Sequence, residues 1–173
     1  CIPVIADGDT GYGDLHNVQR TVEAFEAAGA SGILLEDQVM PKRCGHFAGK
    51  EVIPAEEMVG KIKAAVDARH DHDLLIIART DAIAPEGFTA ALDRAAAYRE
   101  AGADVTFVEA PTSTEQIADI PRRLPWPQLI NIVIGGRTPE LPNATLKELG
   151  YAGVIYANVA LQSALKGMQA ALS

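Results

Sequence analysis

Three stretches of the chain share one order of features: a helical segment that ends in glycine, a few small residues, and a short apolar run that ends in an acidic or polar residue. Glycine is common where a helix ends in a left-handed conformation, and short, wholly apolar runs are typical of strands buried on both faces. The glycines are Gly29, Gly102 and Gly150. With three further apolar runs, the pattern predicts six strands, at residues 3–6, 32–36, 74–78, 105–109, 129–133 and 154–156.

The segments between these strands have the spacing of amphipathic helices. Two apolar faces are evident, one at Leu15, Val18, Val22 and Phe25 and one, behind Pro54, at Met58, Ile62, Ala65 and Val66. Ser113 and Gln116 have the spacing of a capping box, and Asn143 is placed to cap the helix that runs to Leu149. Alternating apolar strands and amphipathic helices predict a parallel sheet that helices cover on its outer face.

Polar residues stand at the carboxyl ends of five of the six predicted strands: Asp7, Glu36, Arg79, Glu109 and Asn131. A (β/α)₈ TIM barrel places its active site at this end of its strands. Six strands do not close an eight-stranded barrel, and the chain has 173 residues where ~250 are usual for that fold. We therefore expect residues 1–173 to form a single partial TIM-barrel catalytic domain with about six of the eight strands.

Composition and charge narrow the class of protein. Hydrophobic residues make up 48% of the chain, which suits one soluble globular core. Cys1 and Cys44 cannot build the disulfide framework of a small secreted protein, and no signal peptide or membrane-spanning run is evident, so we expect a cytoplasmic protein without a membrane partner. The net charge of −8 argues against nucleic-acid binding. An anionic substrate would need local cations, which Lys42, Arg43 and Arg79 could supply.

The segment from Lys42 to His46 reads Lys-Arg-Cys-Gly-His. A thiol near two cations and a histidine has surroundings that favour a thiolate or a ready proton donor. Cys44 is therefore a candidate catalytic residue, and the alternative is an ordinary buried cysteine beside a basic loop. His46 could tune the thiol or bind a carboxylate, or it could be a loop-packing residue.

Two carboxylates follow the first predicted strand in the string Asp-Gly-Asp-Thr-Gly, which begins at Asp7. A buried strand that ends in Asp7 and Asp9 is expected where hard oxygen ligands are delivered to a divalent cation. A plain polar turn is the alternative. A calcium EF-hand loop fits less well, because it needs glycine and glutamate where this chain has Tyr12 and Val18.

These segments, together with Glu36-Asp37-Gln38 and Ala78-Arg79-Thr80-Asp81, resemble the isocitrate lyase and phosphoenolpyruvate mutase superfamily, and within it the short methylisocitrate and 2-alkylmalate lyases. The resemblance runs in the family's order to about Gln169. It implies a chain that starts at the family's third barrel strand and lacks two strands and the C-terminal helices. It also implies a homotetramer at full length and carbon–carbon lyase chemistry, since the cysteine loop belongs to lyases in that superfamily.

The resemblance also implies roles for individual residues. Asp7 would bind Mg²⁺ directly, Asp9 would help through the cation or its waters, and Glu36 would act through a water, with Mn²⁺ able to replace Mg²⁺. Cys44 would donate a proton to the departing carbanion, and Arg79 and His46 would be further catalytic residues. The expected contacts with a small carboxylate substrate come from Gly45, His46, Arg79, Glu109, Asn131, Ile132 and Val133. The base that removes the hydroxyl proton is unassigned.

The resemblance implies a 2-hydroxy di- or tricarboxylate substrate that is cleaved to a 2-oxo acid, such as pyruvate, and a carboxylate. Methylisocitrate lyases have a more basic cysteine loop and an arginine in the helix after the last strand, where this chain has Phe47 and Gln162. A third substrate carboxylate would lose a partner there, which favours a dicarboxylic 2-alkylmalate such as 2,3-dimethylmalate. The alternatives are an oxaloacetate acetylhydrolase, a phosphoenolpyruvate or carboxyphosphonoenolpyruvate mutase-like enzyme, and a non-catalytic barrel fragment.

Two further histidines, His70 and His72, could bind a metal in isolation. The pattern instead places them in a helix-to-strand loop on the far face of the barrel, away from the carboxyl ends of the strands.

Overall fold

The computed structural model describes residues 2–43 and 49–172. In this part of the chain, parallel strands alternate with helices and form a half-barrel, which confirms the prediction of a partial TIM barrel. The strands are β1 (Ile5–Asp7), β2 (Gly32–Glu36), β3 (Leu75–Thr80), β4 (Val105–Val108), β5 (Gln128–Val133) and β6 (Gly153–Ala157). They pair in chain order, as expected when each connection is a helical crossover.

Helices cover the outer face of this sheet. They are α1 (Leu15–Ala27), α2 (Ala55–Ala68), α3 (Ile83–Glu86), α4 (Phe88–Glu100), α5 (Thr114–Arg123), α6 (Asn143–Leu149) and α7 (Val159–Leu172). Val18 and Val22 of α1 and Met58 and Ile62 of α2 are fully buried in one cluster with outward-facing strand residues. Burial of such a side chain contributes about 1.5–3 kcal/mol, so these four residues fix α1 and α2 on the sheet. Leu15, predicted on the same face of α1, is 46% exposed.

The alternation of side chains along the strands decides which residues face the barrel interior. Leu34, Ile77, Val105, Phe107 and Leu129 form the interior cluster. Successive residues of a strand point to opposite faces, so residues two positions beyond these also face inward. Glu36, Arg79, Glu109 and Asn131 stand at those positions. The first three lie at or next to the carboxyl ends of their strands, and Asn131 lies two residues before the end of β5. The period of the strands thus brings the predicted polar residues to one mouth of the half-barrel.

The ends of the helices test the local predictions. Gly29, Gly102 and Gly150 all have positive φ angles, of 87°, 112° and 103°, as predicted for glycines that end helices. Ser113 caps α5 by accepting a hydrogen bond from the Gln116 amide at 3.2 Å. The prediction that Asn143 caps α6 is wrong.

Pro142 holds the capping position of α6, and Asn143 is the first helical residue. The Asn143 side-chain oxygen accepts a hydrogen bond from the Tyr156 hydroxyl instead, which ties the start of α6 to β6.

The last helix, α7, has no buried residue, although it is 14 residues long; among the described helices only the four-residue α3 shares this. Leu161, Leu165 and Met168 are about half exposed or more. Within the described residues, no helix is both long enough and apolar enough to cross a membrane.

Candidate active site

Asp7, the last residue of β1, and Asp9, in the turn that follows, are held by a set of hydrogen bonds from backbone amides. Asp9 has a φ of +49°, an uncommon conformation for a residue with a side chain. The Asp9 amide donates to Asp7 Oδ1 at 2.9 Å, and the Gly8 amide donates to the Leu34 carbonyl at 2.8 Å. A Cβ atom on Gly8 would lie 3.0 Å from that same carbonyl oxygen, so only glycine fits this close to β2. The turn is therefore built to present Asp7 and Asp9 at the barrel mouth.

Glu36 is the most buried carboxylate near this turn. Its side chain is 0% exposed, and neither carboxylate oxygen accepts a hydrogen bond from a described residue. Two cations lie near it: Arg79 Nε at 3.4 Å and Lys42 Nζ at 3.7 Å. Burial raises the pKa of Glu36 to about 7, although the charges of Arg79 and Lys42 oppose the shift. A carboxylate of this kind can serve a cation or the waters around one.

Lys42 lies among the three acids that the sequence assigned to a metal. Its Nζ atom is 2.5 Å from Asp9 Oδ1, 3.7 Å from Glu36 Oε1 and 4.0 Å from Asp7 Oδ2. Burial lowers the pKa of this ammonium, but the hydrogen bond to Asp9 and the charge of Glu36 raise it more, so the net shift is upward. In the described part of the chain, no three acidic, histidine or cysteine side chains are grouped closely enough to hold a metal ion by themselves.

Arg79 lies on the other side of the same cluster of charges. Its Nε and Nη2 atoms donate to the two oxygens of Asp81 at 2.9 and 3.1 Å, and Nη2 is 3.9 Å from Glu109 Oε1. The guanidinium carbon is 5.3 Å from the centre of the Phe107 ring, a distance at which cation–π attraction operates. Burial lowers the pKa of Arg79, but the charges of Glu109 and Asp81 raise it further above its ordinary value. Arg79 is thus a fixed, permanent cation.

A cavity of about 360 Å³ opens inside the half-barrel beside these groups. Asp7, Arg79, Phe107 and Asn131 line it, together with apolar strand residues. Asn131 Nδ2 donates to Glu109 Oε1 at 3.4 Å, while Asn131 Oδ1 is buried and accepts no hydrogen bond from a described residue. The cavity therefore has the carboxylate of Asp7 at one side, a guanidinium at another and an amide oxygen that can accept a hydrogen bond.

Two other predicted substrate contacts follow Asn131 on β5. The side chain of Ile132 packs in the cluster between the sheet and the helices, because it points away from the interior. A contact between Ile132 and a ligand would therefore use its backbone. Val133 ends the strand and is half-buried.

Cys44, Gly45 and His46 lie outside the described residues, but both ends of their segment are well fixed. The Gln38 side chain donates to the Arg43 carbonyl and accepts from the Arg43 amide, both at 2.8 Å. On the far side, Lys50 Nζ is 2.8 Å from Asp81 Oδ1, with both side chains almost fully buried. The sequence reasoning assigned no role to Lys50, and it used Gln38 only as part of the Glu36-Asp37-Gln38 segment that carries the family resemblance. The sequence feature that could have indicated them is their position, since Gln38 and Lys50 flank a glycine-containing loop.

The histidines that the sequence placed on the far face are found there. His70 and His72 lie in the connection from α2 to β3, at the amino end of the strand. The Glu26 carboxylate accepts hydrogen bonds from the backbone amides of His70 and Asp71, at 2.9 and 2.5 Å. This loop is held by a structural hydrogen-bond cluster, distant in the fold from the barrel mouth.

The family model described as phosphoenolpyruvate phosphomutase matches residues 1–173, the whole chain. The chain belongs to the phosphoenolpyruvate mutase/isocitrate lyase superfamily. It is 53% identical over 167 residues to the 2,3-dimethylmalate lyase of Eubacterium barkeri, an alignment that covers 96% of this chain and 58% of the relative. It is 48% identical over 171 residues to a 2-methylisocitrate lyase of Aeropyrum pernix, covering 99% of this chain and 55% of the relative. The chain thus spans little more than half the length of these carbon–carbon lyases.

Solved structures of the superfamily have the same fold over nearly all of the chain. An oxaloacetate acetylhydrolase in complex with 3,3-difluorooxalacetate superposes with a TM-score of 0.93 at 39% identity, over 98% of this chain and 58% of that one. A phosphonopyruvate hydrolase in complex with oxalate and Mg²⁺ superposes with a TM-score of 0.82 at 37% identity, over 97% of this chain and 58% of that one. These similarities confirm the superfamily that the sequence motifs predicted, and they include members with different chemistries.

Proposed function

We propose that this protein is a Mg²⁺-dependent carbon–carbon lyase that cleaves a 2-hydroxy dicarboxylate of the 2-alkylmalate type to a 2-oxo acid, such as pyruvate, and a second carboxylate. One observation carries the proposal: the acid group of Asp7, Asp9 and Glu36 lies beside the buried guanidinium of Arg79, with 3.4 Å between Glu36 and Arg79, and Asp7 and Arg79 line the same cavity. A cation-binding group and an anion-binding group side by side suit a substrate that carries a hydroxyl and a carboxylate on one carbon.

The residues present fit a divalent cation. Glu36 offers two buried oxygens that accept no hydrogen bond from the described residues, and Asp7 offers a carboxylate that is 62% exposed at the mouth. Asp7 would be the direct ligand, and Asp9 and Glu36 would hold the cation through its waters, because Mg²⁺ keeps several waters and needs few protein ligands. When bound, the metal supplies polarisation of the substrate hydroxyl and carboxylate. The relative solved with oxalate and Mg²⁺ supports this assignment.

The other residues bind the substrate carboxylate and protonate the carbanion that leaves. Arg79 presents a planar guanidinium whose orientation Asp81 and Phe107 fix, so it can hold a substrate carboxylate with two parallel hydrogen bonds. The Asn131 amide would bind the same end of the substrate, oriented by Glu109. Cys44 is the proposed acid that protonates the departing carbanion on carbon, with His46 and Gly45 beside it in sequence.

A second activity, hydrolysis of oxaloacetate to oxalate and acetate, is favoured by the close superposition with an oxaloacetate acetylhydrolase. In structural superposition a 2,3-dimethylmalate lyase is 42% identical to this chain and the oxaloacetate acetylhydrolase is 39% identical. The sequence alignment with the Eubacterium barkeri dimethylmalate lyase, at 53% identity, leads us to place the alkylmalate reaction first. A mutase-like reaction ranks below both because Cys44 matches the lyases, and a non-catalytic role ranks last.

Steady-state kinetics on the full-length protein with 2,3-dimethylmalate, 2-ethylmalate, 2-methylisocitrate and oxaloacetate test this ranking. We expect the highest kcat/KM with an alkylmalate, because Gln162 is neutral where a third carboxylate would need a cation. A tenfold or greater preference for 2-methylisocitrate or for oxaloacetate would replace the proposed substrate. No turnover of any of the four would leave the mutase-like reaction and the non-catalytic role.

We also propose that the full-length protein is a homo-oligomer, as the superfamily resemblance implies. The exposed apolar residues of α7 support a contact with further protein, because three of them share one side of the helix at intervals of three and four. Mass measurement in solution at defined protein concentration would give the number of subunits, and a tetramer is expected.

A further inference from the structure

We propose that Lys50 is a positioning residue for substrate binding, because its ammonium neutralises Asp81 and so leaves the charge of Arg79 available to a substrate carboxylate. The inference rests on the proposed function, in which Arg79 binds a carboxylate. It adds a residue that neither the motifs nor the barrel pattern pointed to.

The first step is the sharing of one carboxylate by two cations. Asp81 Oδ1 accepts from Lys50 Nζ at 2.8 Å and from Arg79 Nη2 at 3.1 Å, while Asp81 Oδ2 accepts from Arg79 Nε at 2.9 Å. Lys50 therefore contacts the same oxygen atom as the guanidinium does. A change at Lys50 acts on Arg79 through a single intervening group.

The second step is that the backbone of Asp81 is held in place by Asp37. Its backbone amide donates to Asp37 Oδ1 at 2.9 Å, and the amide of Asp37 donates to the Arg79 carbonyl at 3.3 Å. Asp37 is itself held by the Tyr98 hydroxyl at 2.7 Å. The backbone from Arg79 to Asp81 is thus held by Asp37, and the Asp81 carboxylate is 0% exposed, so its charge must be balanced by neighbouring protein groups.

The third step is the balance of charge around the guanidinium. Arg79 lies within 4 Å of three carboxylates, those of Glu36, Asp81 and Glu109. An arginine surrounded in this way is a poor site for an anion unless other cations offset the acids. Lys50 does so for Asp81, with side chains that are 1% and 0% exposed, so water screens the pair very little.

The burial of the pair also points to a role beyond stability. A buried ion pair often contributes little net stability, since the cost of removing two charges from water offsets their attraction. An apolar pair at Lys50 and Asp81 would fold as well, but it would not keep Arg79 both oriented and charged for a ligand. The pair is better explained by the binding site that it adjoins.

The test uses the Lys50→Gln variant of the full-length protein, which keeps a hydrogen-bond donor to Asp81 and removes only the charge. Calorimetric titration with oxalate, in the presence of Mn²⁺, measures affinity for a small dicarboxylate. We expect oxalate to bind at least about tenfold more weakly and KM to rise more than kcat falls. Lys63→Met, an exposed lysine of α2, is the matched control and should leave both values unchanged.

A merely structural role would lower the thermal unfolding midpoint of Lys50→Gln but leave its oxalate affinity within about twofold, and that result would overturn the proposal. If Lys50→Gln does not fold, Lys50→Arg decides the matter: it keeps the charge and should retain oxalate affinity, and a tenfold loss would count against the proposal. Failure of the proposed function looks different. In that case the unmodified protein itself neither binds oxalate nor turns over any alkylmalate.

Discussion

The carbonyl of Asp9 accepts a hydrogen bond from the backbone amide of Glu36 at 2.8 Å, which ties the loop after β1 to the end of β2. The bond sets the distance between a partly exposed carboxylate and a fully buried one. Because this hydrogen bond joins backbone atoms, it does not depend on which cation binds the two carboxylates. The acid group is therefore a preformed feature of the sheet edge.

Asp7→Ala should abolish divalent-metal binding and lyase activity, because the direct ligand is lost while the rest of the loop is kept by backbone hydrogen bonds. Titration with Mn²⁺ followed by electron paramagnetic resonance measures the binding. Asp67→Ala, at an exposed position of α2, is the control and should bind the metal as the unmodified protein does. Unchanged Mn²⁺ affinity in Asp7→Ala would refute the metal assignment.

Lys42→Met should tighten Mn²⁺ binding, by about threefold or more. The reason is competition: the ammonium lies 2.5 Å from Asp9 and 3.7 Å from Glu36, and a divalent cation on the same carboxylates would be repelled by it. The same resonance titration measures the effect, with Lys63→Met as the control. Weaker binding in Lys42→Met would mean that Lys42 supports the metal instead of competing with it.

Cys44→Ser should lower kcat for carbon–carbon cleavage by at least about a hundredfold and leave oxalate affinity within about threefold, because a proposed proton donor acts on the departing carbanion and not on the bound 2-oxo acid. Stopped-flow turnover and calorimetric titration give the two quantities. Normal turnover would return Cys44 to the role of an ordinary cysteine. Equal losses in turnover and binding would indicate damage to the loop.

Gln162→Arg should raise the relative kcat/KM for 2-methylisocitrate over 2,3-dimethylmalate by about tenfold, because the added cation can pair with a third carboxylate. Competition kinetics with both substrates in one reaction measure the ratio directly. Gln162 lies near the start of α7. Its backbone amide donates to the Asn158 carbonyl at 2.9 Å, and this bond does not depend on the side chain, so the helix start should tolerate the change. A ratio that does not move would mean that the substrate's third carboxylate is bound elsewhere.

Glu26→Ala should destabilise the protein at neutral pH and much less at acid pH. Hydrogen bonds from the backbone amides of Asp71 and His70 lower the pKa of Glu26 below its ordinary value. A carboxylate with a depressed folded-state pKa contributes stability above its unfolded pKa of about 4.5, and this stability is lost as the pH falls through the folded-state value. Urea unfolding at pH 7 and pH 3.5 measures the difference. Glu23→Ala, exposed on the same helix, should show no such pH dependence.

The sequence predicted the sheet well because the apolar strands are short, continuous and bounded by polar residues. The same alternation that buries Leu34 and Ile77 places Glu36 and Arg79 at the mouth, so the positions of the polar residues followed from the strand period. The N-cap of α6 was predicted wrongly because Asn143 and Pro142 both suit a helix start, and only the tertiary contact with Tyr156 separates them.

Contacts made by long side chains could not be predicted in the same way. The sequence offered Lys42 as one of three cations that could serve an anionic substrate, and it gave no indication that the ammonium would lie beside Asp9. Lys50 reaches Asp81 across 31 positions of sequence, with no periodicity to indicate the pairing. Backbone periodicity places Cα atoms, whereas the ends of such side chains are placed by the balance of charge around them.

The order of the strands has a practical consequence for anyone who prepares this segment by itself. In the described part of the chain, β1 pairs only with β2 and β6 only with β5, so each has one side whose backbone amides and carbonyls are not engaged in the sheet. Such borders act as templates for strands of other molecules. Ile5 and Tyr156, both about half exposed, add apolar surface at the two borders. Samples of the segment alone should therefore self-associate as their concentration rises. Their association state should be measured in a dilution series before their activity is interpreted.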